Sequence, residues 1–144
     1  MVYNLRFMKL SKTSEYALRI LGFMINSDMQ VFSARYLVDT LKVPDKYLRR
    51  LMTDLSKKGF VRSLQGREGG YVFAKNANKI YLSQIIDAVE GMDKYEGCIL
   101  GFKECSDDNP CSLHNAWSPI KERIVTFLTT TTVAELKNNQ ILKF

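Results

Sequence analysis

Residues 60 to 75 read FVRSLQGREGGYVFAK. Two short runs rich in Val, Phe and Tyr flank QGREGG, whose three glycines permit positive φ angles, so the segment predicts a tight β-hairpin. What precedes it narrows the fold further. PDKYLRRLMTDLSKKG (44 to 59) predicts an amphipathic helix that opens at Pro44, buries Leu48, Leu51 and Leu55, and stops at Gly59. Its other face carries Lys46, Tyr47, Arg49 and Arg50. SARYLVDTLKV (33 to 43) predicts a shorter helix with Ser33 as N-cap and Leu37, Val38 and Leu41 inward. SKTSEYALRILGFMIN (11 to 26) supplies a core helix with Tyr16, Ala17, Ile20, Leu21 and Met24 on one stripe. Two short helices in tight succession, the second cationic near its start, describe a helix-turn-helix, and a hairpin directly behind it is a wing.

The charge is distributed to match. Residues 1 to 75 hold fourteen Lys/Arg against six Asp/Glu, whereas residues 76 to 144 hold seven against nine. The net +6 therefore belongs to the half that contains the helix-turn-helix, which points to a polyanion-binding module joined to something else. In that reading Ser33, Lys46, Tyr47, Arg49 and Arg50 approach the major groove of double-stranded DNA, and Gln65 and Arg67 sit at the wing for the minor groove.

Beyond the wing, KIYLSQIIDAVEG predicts a small helix capped by Ser83, stopped at Gly91 and packed on the first helix through Ile85, Ile86 and Val89. Farther on, Leu113, Trp117, Ile120, Ile124 and Phe127 repeat at intervals of four, three, four and three, a coiled-coil seam. A lone helix with such a seam needs a partner, and a second copy suits a helix-turn-helix that reads two half-sites. Pro119 within the pattern predicts a kink or a late start, and TVAE predicts a capping box that opens a last short helix from Val133. No apolar run reaches the length of a membrane span, and MVYNLRF is too short and mixed for a signal peptide, so the expectation is a cytoplasmic protein.

One segment, GCILGFKECSDDNPCSLHNAW (97 to 117), contains all three cysteines, the only histidine and the only tryptophan. An odd cysteine count in a reducing compartment argues against a disulfide framework. Cys98, Cys105, Cys111 and His114 have the spacing C-x6-C-x5-C-x2-H, three thiolates and an imidazole from one loop and a helix start. That donor set suits an iron–sulfur cluster, and zinc accepts it as well, although zinc sites usually show a closer C-x2-C pair. Free or thiol-switch cysteines are the remaining alternative. Catalysis by Cys111 and His114 lacks an evident oxyanion or orienting group and leaves the basic half unexplained, so an enzyme is not expected. A protein-interaction winged helix is the other rival.

The residues MKLSKTSEYALR, LVDTLKVPDKYLRRLMTDLSKKGFVRSLQGREGGYVFAK, IIDAVEG, CSLHNAW and VAELKNNQ together resemble the IscR and NsrR type of winged-helix transcription regulators, the Rrf family, from Met8 to Gln140. The resemblance implies an iron–sulfur cluster on Cys98, Cys105 and Cys111 whose state is coupled to DNA binding. An IscR-like site would add His114 and hold [2Fe–2S], preferred here over [4Fe–4S]; an NsrR-like site would take an acidic residue from the partner's first helix, where Glu15 stands. The chain departs from IscR in spacing the first two cysteines by six residues rather than five, and in carrying Gln65 where many relatives have Arg. The expected protein is mainly α with a small β wing. A winged helix-turn-helix over residues 1 to 82 is joined to a helix, cysteine loop and long C-terminal dimerisation helix over residues 83 to 144. Its expected role is an iron–sulfur-sensing regulator of transcription, a homodimer on a DNA operator, with no membrane and no small-molecule substrate.

Overall fold

The computed structural model describes residues 10 to 137; Met8, Lys9 and residues 138 to 140, the outer ends of the family likeness, lie outside them. The chain runs α1 (Lys12–Asn26), α2 (Ala34–Leu41), α3 (Asp45–Lys57), β1 (Val61–Leu64), β2 (Gly70–Phe73), a 3-10 turn (Ala77–Lys79), α4 (Leu82–Val89), α5 (Asp93–Glu96), α6 (His114–Thr130) and a last 3-10 turn (Val133–Leu136). The fold is mainly helical with one small antiparallel sheet, as the sequence predicts.

Local chemistry explains the boundaries that set the helix-turn-helix and the wing. Ser11 caps α1 by accepting from the Ser14 N–H, and Ser33 caps α2 by accepting from the Tyr36 N–H at 3.1 Å. Pro44 stands just ahead of α3, where its missing N–H costs nothing. Gly59 then reverses the chain at φ 78° and delivers Val61 to β1. The strands pair Val61 with Phe73 through Leu64 with Gly70, leaving residues 65 to 69 as the wing tip.

The wing is fastened to the helices by its own backbone. Tyr71 exchanges two hydrogen bonds with Phe32, at 2.8 and 3.0 Å, just ahead of α2. Only a glycine fits beside that bridge: a Cβ at Gly70 would stand 2.5 Å from the Phe32 carbonyl oxygen. A second tie joins the start of α4 to the segment after α6, where Val133 N–H donates to Ile80 O at 2.7 Å and Leu82 N–H to Thr131 O at 2.9 Å.

The core is one contiguous cluster. Ile20 and Leu21 of α1, Leu37 of α2, Leu48, Leu51, Met52 and Leu55 of α3, Ile85 and Ile86 of α4 and Leu128 of α6 are buried together. As expected, α4 packs on α1. Several boundaries differ from the sequence reading. The cap of α4 is Tyr81, whose backbone N–H donates to Gln84 Oε1 at 2.9 Å, and Ser83 lies inside the helix. Helix α6 starts at His114, five residues ahead of Pro119, so there is no late start. As predicted, a capping box of Thr132 and Glu135 opens a last short helix from Val133, and this helix is of the 3-10 type. Short α5 was not anticipated at all: four residues are too few to show a hydrophobic period.

Candidate metal centre and nucleic-acid interface

The cysteine loop is set between α5 and α6. Gly97 ends α5, and its carbonyl oxygen accepts from the Trp117 indole N–H at 3.1 Å, so the single tryptophan clamps the entry of the loop to α6. A turn follows, closed by Gly101 N–H on Cys98 O at 3.0 Å, with Gly101 at φ 79°. Next, Ser106 and Asn109 exchange main-chain hydrogen bonds at 3.2 Å, and the Asn109 side chain donates to Glu104 O at 3.2 Å. The SDDN sequence is typical of turns, whose short polar side chains bond to nearby backbone. Cys111 lies just ahead of α6, its carbonyl accepting from His114 N–H at 3.1 Å.

These turns bring the three free thiols together. The sulfurs of Cys98, Cys105 and Cys111 all lie within 4.8 Å of one another, with Cys98 and Cys111 3.6 Å apart. All three are half-buried. Burial opposes ionisation of Cys98, yet backbone hydrogen bonds from Phe102 and Leu100, with Cys111 and Cys105 alongside, bring its thiol down to about 7. Cys105 moves the other way: its hydrogen bond from the Cys111 N–H favours the thiolate, but desolvation and the two neighbouring sulfurs outweigh it and raise the value. Crowded thiols that cannot all ionise together are what a cation relieves.

His114 reaches the group at one point. Its buried ring sets Nδ1 3.2 Å from Cys105 Sγ and Nε2 2.8 Å from Asp107 Oδ1, with Ser118 Oγ 3.4 Å from the same Nε2. Glu15 stands elsewhere, paired with Lys12 at 3.1 Å and lining a groove of about 660 Å³ with Leu10, Tyr95, Trp117, Ile124 and Phe127. The seam of α6 is divided. Leu128, outside the seam, is buried, and Trp117 and Ile124 are half-covered, while Leu113, Ile120 and Phe127 face solvent, Phe127 at 58% exposure.

On the helix-turn-helix and wing, Lys46, Arg49, Arg50, Gln65 and Arg67 are exposed, as is Ser33, whose hydroxyl caps α2. Arg49 pairs with Asp45 one turn earlier, at 3.0 Å. Tyr47 borders a cleft with Lys46 and Arg50, the face the sequence reading gave it, but is half-buried and turns part of its surface to α1. Its hydroxyl lies 2.6 Å from Thr13 Oγ1 and its ring meets Tyr16 edge-on at 5.5 Å, so it joins α3 to α1. The reason is helical geometry: position 47 adjoins the buried Leu48 and Leu51 stripe, and a large aromatic at that border gains apolar contact. Sequence reasoning missed Lys12, which shares the shallow cleft of Tyr16, Tyr47, Lys46 and Arg50, and Asp107. Lys12 looked like part of a capping segment, and Asp107 like ordinary turn composition.

A second polar junction was also missed. Glu90, at the end of α4, accepts from the hydroxyls of Ser11 and Ser14, the latter at 2.6 Å, and lies near Lys94 and Tyr95 of α5. It thereby joins the start of α1 to the helix that leads into the cysteine loop.

A helix-turn-helix with a hairpin wing defines the class: a winged-helix protein of the transcription-regulator kind. The chain belongs to the Rrf2 family, described as an iron-dependent transcriptional regulator, whose model matches residues 10–139. An Aquifex aeolicus protein assigned as an HTH-type transcriptional regulator is 35% identical over 130 residues, covering 89% of this chain and 90% of that one. The IscR transcriptional regulator of Yersinia pseudotuberculosis is 39% identical over 94 residues, 65% of this chain but only 57% of that protein. Among solved structures, CymR (YrzC), the global cysteine regulator of B. subtilis, superposes with a TM-score of 0.74 at 24% identity, over 92% of this chain and 100% of that one. T. potens IscR gives 0.67 at 22% identity, over 95% and 94%. These two establish the fold. The family and the sequence relatives are transcriptional regulators rather than enzymes, and DNA binding is the family's mode of action. No helix among the described residues is long and apolar enough to cross a membrane.

Proposed function

We propose that this chain is a cytoplasmic, iron–sulfur-sensing, sequence-specific regulator of transcription that acts as a homodimer on a DNA operator. The carrying observation is the convergence of Cys98, Cys105 and Cys111 within 4.8 Å, with the His114 ring against Cys105. A donor set of three thiols and one imidazole, half-buried and held by main-chain turns, fits a cluster in which a nitrogen replaces one sulfur ligand. When bound, such a group supplies redox chemistry and reactivity toward oxidants. The chain's own residues hold it: three thiolates, and His114 through Nδ1, which favours [2Fe–2S] over [4Fe–4S]. Glu15 is the alternative fourth ligand, given across a dimer by the partner copy.

The two functional stretches, residues 1 to 82 and 83 to 144, are a reading head and a sensing arm. In the reading head Arg49 and Arg50 approach base edges. Lys46 and Ser33 meet the neighbouring backbone, Tyr47 braces the recognition helix, and Gln65 and Arg67 on the wing reach the minor groove. In the sensing arm α6 presents Ile120 and Phe127 to a second copy.

Anaerobic purification tests this reading. Protein with iron, acid-labile sulfide and visible absorption that each Cys→Ala change abolishes supports it. Colourless protein with stoichiometric zinc, or thiols that only oxidise reversibly, would replace it with a zinc-stabilised or thiol-switch regulator; the 3.6 Å separation of Cys98 and Cys111 makes the latter the specific rival. Absence of salt-dependent duplex binding in every form would favour a protein-interaction module instead.

A further inference from the structure

We propose that Asp107 is a positioning residue of the metal centre: its carboxylate accepts the Nε2 proton of His114 and so presents Nδ1, free of a proton, to the thiols. The inference rests on the reading of His114 as a ligand and goes beyond it by naming what aims the ring. A neutral imidazole carries one N–H, and only its other nitrogen has a lone pair to donate to a metal. Which nitrogen that is depends on the ring's surroundings. At 2.8 Å from Nε2 stands the Asp107 carboxylate, and at 3.2 Å from Nδ1 stands Cys105 Sγ, one of the three gathered sulfurs. A carboxylate can only accept, so the proton belongs at Nε2.

The placement of Asp107 is built into the loop. The reciprocal Ser106–Asn109 turn and the Asn109 bond to Glu104 O fix the two residues between them, and Asp107 is one of these. The side chain of Asp107 is 97% exposed while that of His114 is 10% exposed, so the carboxylate meets the buried ring from the solvent side. A pair whose carboxylate stands in solvent contributes little to stability. Its effect is on direction: partners behind a ligating histidine set its tautomer and ring orientation, and their loss lowers metal affinity about 10- to 100-fold. Ser118 Oγ, more distant at 3.4 Å and able to donate as well as accept, does not impose the same tautomer.

The chain has a single histidine, so ring nitrogen labelling reports this site alone. In metal-free full-length protein, nuclear magnetic resonance of the labelled ring is expected to show the Nε2–H tautomer. D107A should shift the population toward Nδ1–H, D107N should retain most of the wild-type state through its carbonyl oxygen, and S118A should change little. In protein loaded anaerobically with iron and sulfide, then reduced, pulsed electron paramagnetic resonance should detect one labelled nitrogen, and D107A should lose iron to a chelator about 10- to 100-fold faster. A dominant Nδ1–H tautomer in wild type, or no response of tautomer and iron release to D107A, overturns the proposal while leaving the ligand reading intact. Absence of nitrogen coupling in a loaded wild type overturns both.

Discussion

Arg50 and Arg67 are both exposed cations, one on α3 and one at the wing tip, and the proposed function gives them different work. Arg50 stands on α3 beside Lys12 and Lys46, whereas Arg67 occupies the wing tip. Arg50→Ala is expected to weaken binding at a selected operator by about 1–3 kcal/mol and to relax base preference there; Arg67→Ala should weaken all sequences alike and reduce the salt slope by about one unit. Titrating both variants against operator and random duplex across a salt series checks the distinction. Glu90 makes a separate prediction, about acid. Desolvation opposes its charge, but hydrogen bonds from Ser11 and Ser14, with Lys94 and Tyr95 nearby, outweigh that and hold its value below the ordinary 4.5. A carboxylate depressed in the folded state stabilises the fold above its unfolded value, and that contribution disappears as pH falls through the folded value. Glu90→Gln should therefore unfold more readily than wild type at neutral pH, with the difference shrinking below about pH 4.5; denaturant melts at several pH values would show it.

At the scale of the element, the wing owes its position to backbone contact. Gly70→Ala would place a methyl group 2.5 Å from the Phe32 carbonyl oxygen and 2.8 Å from the Ser33 nitrogen, both main-chain atoms with no room to yield. Overpacking of this type typically costs about 1–3 kcal/mol. The expected result is a lower urea midpoint and rapid amide exchange at Phe32 and Tyr71. Gly59→Ala, where nothing lies within 4 Å of the added carbon, should suffer only from its φ of 78°. Helices α1 to α3 and the hairpin were legible in the sequence because their signals are local: the Ile20, Leu21, Met24 and Leu48, Leu51, Leu55 periods, the cap at Ser33, and the QGREGG turn. The bridge from Phe32 to Tyr71 was not, since 39 residues separate its partners and no residue type marks an isolated pair. The same holds for the site. Spacing and residue type picked out the cysteines and His114, while Asp107 and the inward turn of Tyr47 depend on how a loop and a helix settle against their neighbours.

For the whole molecule, assembly is the open test. Phe127 and Ile120 are exposed on α6 although their spacing is that of a seam, and the neighbouring groove contains Glu15. Phe127→Ala should shift sedimentation toward monomer, with a loss of about 3–5 kcal/mol where the ring is buried between copies. A wild type that sediments as a monomer at micromolar concentration would leave operator half-sites one helical turn apart without a basis. One further consequence belongs to Trp117. It is the chain's sole indole, its N–H is anchored on Gly97 at the mouth of the cysteine loop, and its ring borders the groove beside Phe127. Its fluorescence is thus an intrinsic gauge of that junction: colour and intensity should respond to loop release and to groove closure, so the protein reports on itself without any attached dye.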